Sequence, residues 1–453
     1  MQKISKTLKD NTRYGKEEYS ACRSILSEVI DKSLGQLESE GVFVFPEALK
    51  DAEDIEKDQR IFESDGDGFW TTNIMGFLGK NGDQLVIGSR FTNNSGENSE
   101  DYFIRYLLQR VLFPNIVDLE ISTDFSENAF EFLVFLFPQY LKRAMRKGPY
   151  KVYEKTEYND SDVKGPIDIA RHIKQNVPFI GNVAYSRREF SMDNYLLELI
   201  RHTIEFIKQK PYGNKLLSTV TDEVGAIVEY TPQYSFYDRR KIIAENEKKI
   251  VRNAYYSEYR ELQRLCILIL KHRNNKMAIG KNKINGILFD GAWLWEEYVA
   301  TLISDAFYHP MNKAGRGAQQ LFSNGKGREG RIYPDFIGRN PNNRVIADAK
   351  YKRVEGIGGS DYLQVLAYMF RFDAKTGYYI YPESHEDFYQ EGTAHKELLL
   401  NSGSTYEKNV QARDDIKVIK QGLIIPNTAE SFDDFSEKMK TSEELFCRLI
   451  DVY

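Results

Sequence analysis

The stretch RIYPDFIGRNPNNRVIADAKYK, Arg331 to Lys352, restricts what this chain can fold into more than any other segment. Val345, Ile346 and Ala347 are an apolar strand that leads into Asp348, Ala349 and Lys350. Side chains alternate faces along a strand, so Asp348 and Lys350 must emerge on the same side. Asn340, Pro341, Asn342 and Asn343 carry the turn chemistry that joins two antiparallel strands. The spacing therefore predicts Asp335 on a neighbouring strand beside Asp348 and Lys350. Two carboxylates and an ammonium would share one small site.

Hard carboxylate oxygens suit Mg²⁺ or Mn²⁺, such a metal polarises a phosphate, and a lysine can steady the attacking nucleophile. The pattern resembles the PD-(D/E)xK nuclease core. A surface hairpin with ordinary charges is the plain alternative, and the flanking segments decide between the two. Upstream, Ile287 to Phe307 places Leu294, Val299, Leu302, Ile303 and Phe307 at helical spacing, which predicts a helix that projects Glu296 towards the sheet. Glu297 is the adjacent carboxylate. Downstream, Asp361 to Phe372 predicts a second helix with Gln364 and Tyr368 one turn apart on one face. Packing of an ordinary helix face on the sheet is the other use of that pair. A helical Glu, a PD, a DxK and a QxxxY follow in order.

From Trp293 to Pro382 the chain resembles the nuclease domain of McrC-type restriction proteins, through LWEEYV, the PD strand, DAKYK, DYLQVLAY and YYIYP. The segment from Val163 to Arg201 resembles the same family, and the likeness spans roughly residues 125 to 385. The resemblance, which takes in LlaJI-like systems, implies that Asp335, Asp348 and Glu296 ligate Mg²⁺ with the Ala349 carbonyl as an extra ligand. It implies that Lys350 orients the attacking water or stabilises the phosphorane-like charge, and that Gln364 and Tyr368 position the strand or the residues around the metal. It also implies a McrB-like AAA+ GTPase ring as partner, whose hydrolysis this chain stimulates while its nuclease cuts double-stranded DNA. Two other readings stay open: a stand-alone nuclease of repair or recombination type, and a non-catalytic assembly subunit.

At 453 residues the chain has material for two or three domains, and 41% hydrophobic and 13% aromatic residues indicate a globular protein. The expected fold is mixed α/β: a β-rich partner-binding region over 1–118, a mostly helical middle over 119–275, and a restriction-endonuclease-like domain over 276–453. Net charge is −5, yet residues 271–353 carry fifteen Lys and Arg against seven Asp and Glu, leaving 47 against 60 elsewhere. Positive charge gathers around the proposed site, where phosphates would be neutralised. Cys22, Cys266 and Cys447 lack metal-ligand spacing, and the six histidines show no HxH or HExxH, so reduced thiols and no zinc site are expected. No apolar leader or membrane-length run is seen, which points to a cytoplasmic chain with no membrane partner. There is no GxxxxGKS or GxxxxGKT, so no cofactor-binding residues are assigned and any GTP must be bound by the partner.

In the first region Ile74 to Leu78 and Leu85 to Gly88 read as a hairpin around Asn81-Gly82. Asp51, Glu53, Asp54, Glu56, Asp58, Glu63, Asp65 and Asp67 make an acidic face that either binds a protein or is merely solvated. Asn128 to Lys147, Asp193 to Lys208 and Ala244 to His272 are read as amphipathic helices, the last long enough to act as a bridge. Asn312 to Arg331 interleaves glycines with Lys313, Arg316, Lys326, Arg328 and Arg331, a basic loop suited to a DNA backbone. After Pro382 come a polar insertion, Glu383 to Asn409, a strand, Ile416 to Ile425, and a helix, Ser431 to Leu449.

Overall fold

The structure is a computed structural model that describes residues 5–40, 42–45, 60–64, 66–80, 83–92, 101–112, 125–272, 285–310, 317–323, 328–384, 395–403 and 410–450. It forms two compact units, one built from residues 1–117 together with 280–453, the other from 118–279.

In the first unit a five-stranded sheet runs in the order Ser5–Lys9, Asp83–Gly88, Ile74–Lys80, Asn285–Asp290, Val42–Phe45. The expected hairpin is present, with Lys80 opposite Asp83. The fourth strand comes from the far side of the sequence and pairs antiparallel with Ile74–Lys80 and parallel with Val42–Phe45. Regions 1–118 and 276–453, expected as separate domains on either side of 119–275, thus share one sheet. This also corrects the helix expected from Ile287: residues up to Asp290 are strand. A short apolar run buried on both faces has no distinguishing period, so ILF fits strand and helix equally. The Asp290 carboxylate then accepts hydrogen bonds from the backbone N–H of Ala292 at 2.6 Å and Trp293 at 3.2 Å, capping a helix over Gly291–Ile303. One face of the sheet buries Leu26, Val29, Phe62, Phe69, Ile74 and Leu288.

The second sheet of this unit has six strands, ordered Phe307–Tyr308, Phe336–Gly338, Val345–Ala349, Thr376–Glu383, Gln411–Ile424, His395–Ser402. Its first three strands are antiparallel neighbours, and the next two join in parallel. A parallel neighbour needs a crossover, supplied between Ala349 and Thr376 by the helix Ser360–Phe372. That helix buries Val365, Tyr368 and Met369 against Ile346, Tyr379 and Val418. The polar insertion after Pro382 holds a strand, His395–Ser402, antiparallel to Gln411–Ile424; its Leu398 and Leu399 were outweighed in the sequence by their charged neighbours. The final helix runs over Phe432–Leu449 behind an Ser431 cap.

The second unit packs helices around Leu197, Ile200, Ile204, Leu262, Leu265 and Ile269 and carries a two-stranded ribbon, Val152–Asp160 with Val183–Ser191. The helix Phe125–Met145 begins three residues before the expected start. The bridge expected over Ala244 to His272 is broken into Arg239–Lys248 and Ser257–His272. The Gln263 side chain explains the break: it accepts from Val251 N at 3.0 Å and donates to the Lys249 carbonyl at 3.0 Å, satisfying the backbone of a turn. Among the described residues no helix is long and apolar enough to cross a membrane.

Candidate active site

Phe336 pairs with Ala347 and Ile337 with Ile346, so the hairpin sets Asp335 against Asp348 across the ladder. The Asp335 carboxylate also accepts the backbone N–H of Ala349 at 2.8 Å, which fixes it over the end of the Val345–Ala349 strand. Two residues on, on the same face as Asp348, the Lys350 ammonium lies 2.7 Å from Asp348 Oδ2 and donates to Gln364 Oε1 at 3.0 Å. Gln364 in turn donates to the Tyr368 hydroxyl at 2.8 Å, and that hydroxyl reaches the Tyr333 carbonyl at 3.3 Å. One helical turn separates the Gln from the Tyr, so the helix hands a fixed chain of polar contacts to the lysine. The structure brings Asp335, Asp348, Lys350, Gln364 and Tyr368 together.

Glu296 approaches from the Gly291–Ile303 helix, and its charge is felt by Asp335. Glu297, one residue on, meets Trp293 Nε1 at 3.1 Å. Two residues of the constellation escaped the sequence reading. His309 bridges Asp335 and Glu296: its Nδ1 contacts the Asp335 carbonyl at 2.7 Å, and its Nε2 lies 3.7 Å from Glu296 Oε1. An isolated histidine without metal-ligand spacing gives no sequence signal for this. Asp361, at the start of the Ser360–Phe372 helix, meets Lys352 at 3.1 Å and stands 3.6 Å from Lys350. Its place three residues before Gln364 was the available clue.

Burial, then the Asp348 and Glu296 charges, push the Asp335 carboxyl well above the ordinary carboxylate range, against the pull of Lys350 and the Ala349 N–H. Asp348, its side chain only 2% exposed, is raised by burial despite Lys350. Burial works against the Lys350 charge too, but Asp348, Asp335 and Asp361 outweigh it and hold the ammonium protonated far above neutrality. Lys350 is thus a charged donor held beside Asp348. For Asp361, burial is outweighed by Lys352, the Gly358 N–H and Lys350, and the carboxyl stays below its usual range.

Crowded carboxylates with one lysine leave negative charge that a divalent cation would relieve, and Asp348 Oδ2 has no aligned hydrogen-bond donor among the described residues, with only the Lys350 ammonium close by. Among those residues no group of three His, Cys, Asp or Glu side chains is placed to hold a metal ion by itself. Mg²⁺ does not need one, because it keeps several waters and uses one or two carboxylates plus substrate phosphates. The carboxylate oxygens of Asp335 and Asp348, set against each other across the ladder, are donors of the hard kind that ion takes.

The raised Asp335 has a measurable consequence. Above about pH 4 the unfolded carboxyl ionises while the folded one resists, so folding stability from this group is lost as pH climbs towards the folded value. Asp335→Asn, which never ionises, should therefore melt above wild type at about pH 8 in chelator, with the gap closing near about pH 4. Thermal melts across that range check it, and a gap independent of pH rejects it.

Of the basic residues, Arg328 and Arg331 lie on the strand Arg328–Ile332, which pairs with Gln319–Ser323 in a separate hairpin leading directly to Asp335. Arg331 is exposed. Arg371 Nε donates to the Gln320 carbonyl at 2.5 Å, tying this arm to the Gln364 helix. Lys313, Arg316 and Lys326 lie outside the described residues.

The model of one protein family, McrBC 5-methylcytosine restriction system component, matches residues 70–382, from the first unit through the second to the end of the Thr376–Glu383 strand's apolar run. No curated protein matches the chain. Two solved assemblies are similar, both from Thermococcus gammatolerans. One is a refined half-complex from a tetradecameric assembly of McrB AAA+ hexamers with bound McrC, at 14% identity over 96% of this chain and 99% of that one, TM-score 0.44. The other is a McrBC complex, at 15% identity over 66% of this chain and 87% of that one, TM-score 0.30. With residues 70–382 of 453 under the family model, the chain belongs to the McrBC family of 5-methylcytosine restriction system components.

Proposed function

We propose that this restriction-system component is the McrC-type nuclease subunit: a Mg²⁺-dependent endonuclease with a PD-(D/E)xK core that cleaves double-stranded DNA and works with a McrB-like AAA+ GTPase. The observation that carries the reading is Lys350 clasped 2.7 Å from Asp348 on one strand, with Asp335 set against them on the next. The sequence holds no GxxxxGKS or GxxxxGKT motif, which supports the reading that GTP is bound by the partner.

Asp335 and Asp348 would hold Mg²⁺ or Mn²⁺, with Glu296 and the Ala349 carbonyl completing its surroundings. Bound there, the ion supplies a Lewis acid to the scissile phosphate. Lys350 donates from a charged ammonium, orienting the attacking water and steadying the negative charge that grows on the phosphoryl oxygens. The water oxygen bonds to phosphorus and gives up a proton to solvent, one P–O bond of the backbone breaks, and the departing oxygen takes up a proton from solvent. Gln364 fixes the Lys350 head group, and Tyr368 fixes Gln364. His309 holds Glu296 and the Asp335 backbone in register. The arm bearing Arg328 and Arg331, with Lys313, Arg316 and Lys326 next to it in sequence, offers contacts to the sugar-phosphate chain that carry no sequence information.

The ribbon unit supports the partner half of the reading. Ile169, Ile173, Val177, Phe179 and Ile180 are each more than half exposed between its two strands, an apolar patch of the kind that marks a protein interface. The test is to incubate the full-length chain, its GTPase partner and GTP with duplex DNA. Cleavage is expected with Mg²⁺ and none in EDTA, and Mg²⁺ alone should raise the melting temperature of wild type but not of Asp335→Asn. Cleavage undiminished in EDTA, or no cleavage with the partner, rejects the nuclease reading.

A further inference from the structure

Behind the site, on the five-stranded sheet, one buried arginine bridges Asp10, Asn73 and the residue that follows the lysine. Arg90 follows the Asp83–Gly88 strand, and its side chain is only 9% exposed. Its Nη1 donates to Asp10 Oδ2 at 2.9 Å and to Asn73 Oδ1 at 2.8 Å, and its Nη2 donates to the backbone carbonyl of Tyr351. The guanidinium carbon lies over the Tyr351 ring, 4.6 Å from its centre. The far end of that ring is held as well: the Tyr351 hydroxyl meets Ser89 Oγ at 2.8 Å.

Tyr351 is the residue after Lys350. On its other side the Lys350 backbone N–H is fixed to the Ile380 carbonyl at 2.8 Å. The lysine backbone is therefore pinned between the six-stranded sheet and Arg90, while its side chain points to Asp348 and Gln364. Asn73 extends the same contact to the other wall of the site. Its carbonyl accepts the Gly291 N–H at 2.8 Å, and Gly291 opens the helix that carries Glu296. At Gly291 a Cβ would lie 2.7 Å from the Tyr351 ring, so the glycine lets the helix start directly against the clamped tyrosine.

We propose that Arg90 is a positioning residue for the nuclease site, holding Lys350 through Tyr351 and the Glu296 helix through Asn73, so that the five-stranded sheet sets the catalytic geometry. The inference rests on the nuclease reading above. A guanidinium suits the task because its planar fork can bridge a carboxylate, an amide oxygen and a carbonyl at once, whereas a lysine is a point charge on a flexible stem. A buried Asp10, 0% exposed, needs a positive partner for the fold; either residue supplies that. Arg90→Lys separates the two roles, keeping the charge and losing the bridge.

The experiment uses the full-length chain with its GTPase partner, GTP, Mg²⁺ and duplex DNA. Arg90→Lys is expected to lower kcat for cleavage at least about tenfold, since small displacements of reacting groups have effects of that size, with KM for DNA unchanged. Tyr351→Phe, which keeps the ring and drops the Ser89 contact, should lower kcat in the same direction by less. Hydrogen exchange should rise at residues 348–352 in Arg90→Lys and stay at wild-type level in residues 378–381. If Arg90→Lys does not fold, Tyr351→Phe decides. Either folded variant with kcat and exchange at wild-type level overturns the inference, as does a loss that appears only in KM. Wild-type cleavage with an inactive Lys350→Ala and a fully active Arg90→Lys removes this inference alone; a wild type that does not cleave removes the nuclease reading and this inference with it.

Discussion

Lys350→Ala and Asp348→Ala, each in the full-length chain with the GTPase partner present, are expected to lower DNA cleavage by at least about a hundredfold while leaving the fold and partner binding intact. The two act by different routes. Without Lys350, the Asp348 carboxyl keeps its burial and loses the ammonium 2.7 Å away, and the site loses the donor that would face the growing phosphoryl charge. Chemistry should suffer. Without Asp348, Lys350 still has Gln364 at 3.0 Å and Asp361 at 3.6 Å, so the fold tolerates the change but the ammonium swings away from the place where charge develops. Lys350→Arg keeps the charge on a wider, planar head that cannot take the same contacts, and rescue should be poor. Cleavage at the wild-type rate by either alanine variant sinks the assignment.

The grouping of these side chains was legible because its signal is local. Strand alternation put Asp348 and Lys350 on one face, a turn-rich spacer returned Asp335 to them, and a one-turn spacing aligned Gln364 with Tyr368; each step needs only the period of its own element. His309 and Asp361 act through contacts across elements, which no period records. The fold failed to read where tertiary pairing chose between equal local options. Ile287 to Phe289 became strand because Ile74–Lys80 and Val42–Phe45 flank them, and the helix from Ala244 was cut by a glutamine side chain twelve residues beyond Val251. The acidic face of the first region was readable as charge only. Of its described members, Glu63 accepts the Trp70 indole N–H at 2.8 Å and Asp67 pairs with Lys16 at 3.4 Å on the surface, a solvated arrangement; Asp51, Glu53, Asp54, Glu56, Asp58 and Asp65 lie outside the described residues.

Phe179→Asp together with Ile180→Asp should abolish stimulation of the partner's GTP turnover while leaving the chain folded. The polar side chains around this patch are turned inward to build it: Arg171 donates to Glu157 at 2.8 Å and to the Tyr158 carbonyl at 3.1 Å, and Asn176 donates to Asn159 at 2.7 Å. Tyr158 stacks on Tyr185 with centroids 5.3 Å apart, so the two strands are locked from within. Phe179 and Ile180, 64% and 78% exposed, contribute little to that lock and stand ready for another surface. Burying each at an interface anchor is worth about 2 kcal/mol, about a thirtyfold change in Kd, so two buried aspartates should remove measurable binding. A fragment offers an independent check if cut where the fold allows. One ending near residue 270 would strip the Asn285–Asp290 strand from between Ile74–Lys80 and Val42–Phe45 in the five-stranded sheet, whereas residues 118–279 form a compact unit with its own buried core. That unit alone is expected to bind the GTPase and raise its turnover. Full stimulation by the double aspartate variant, or no binding by a folded 118–279 fragment, moves the partner site elsewhere on the chain.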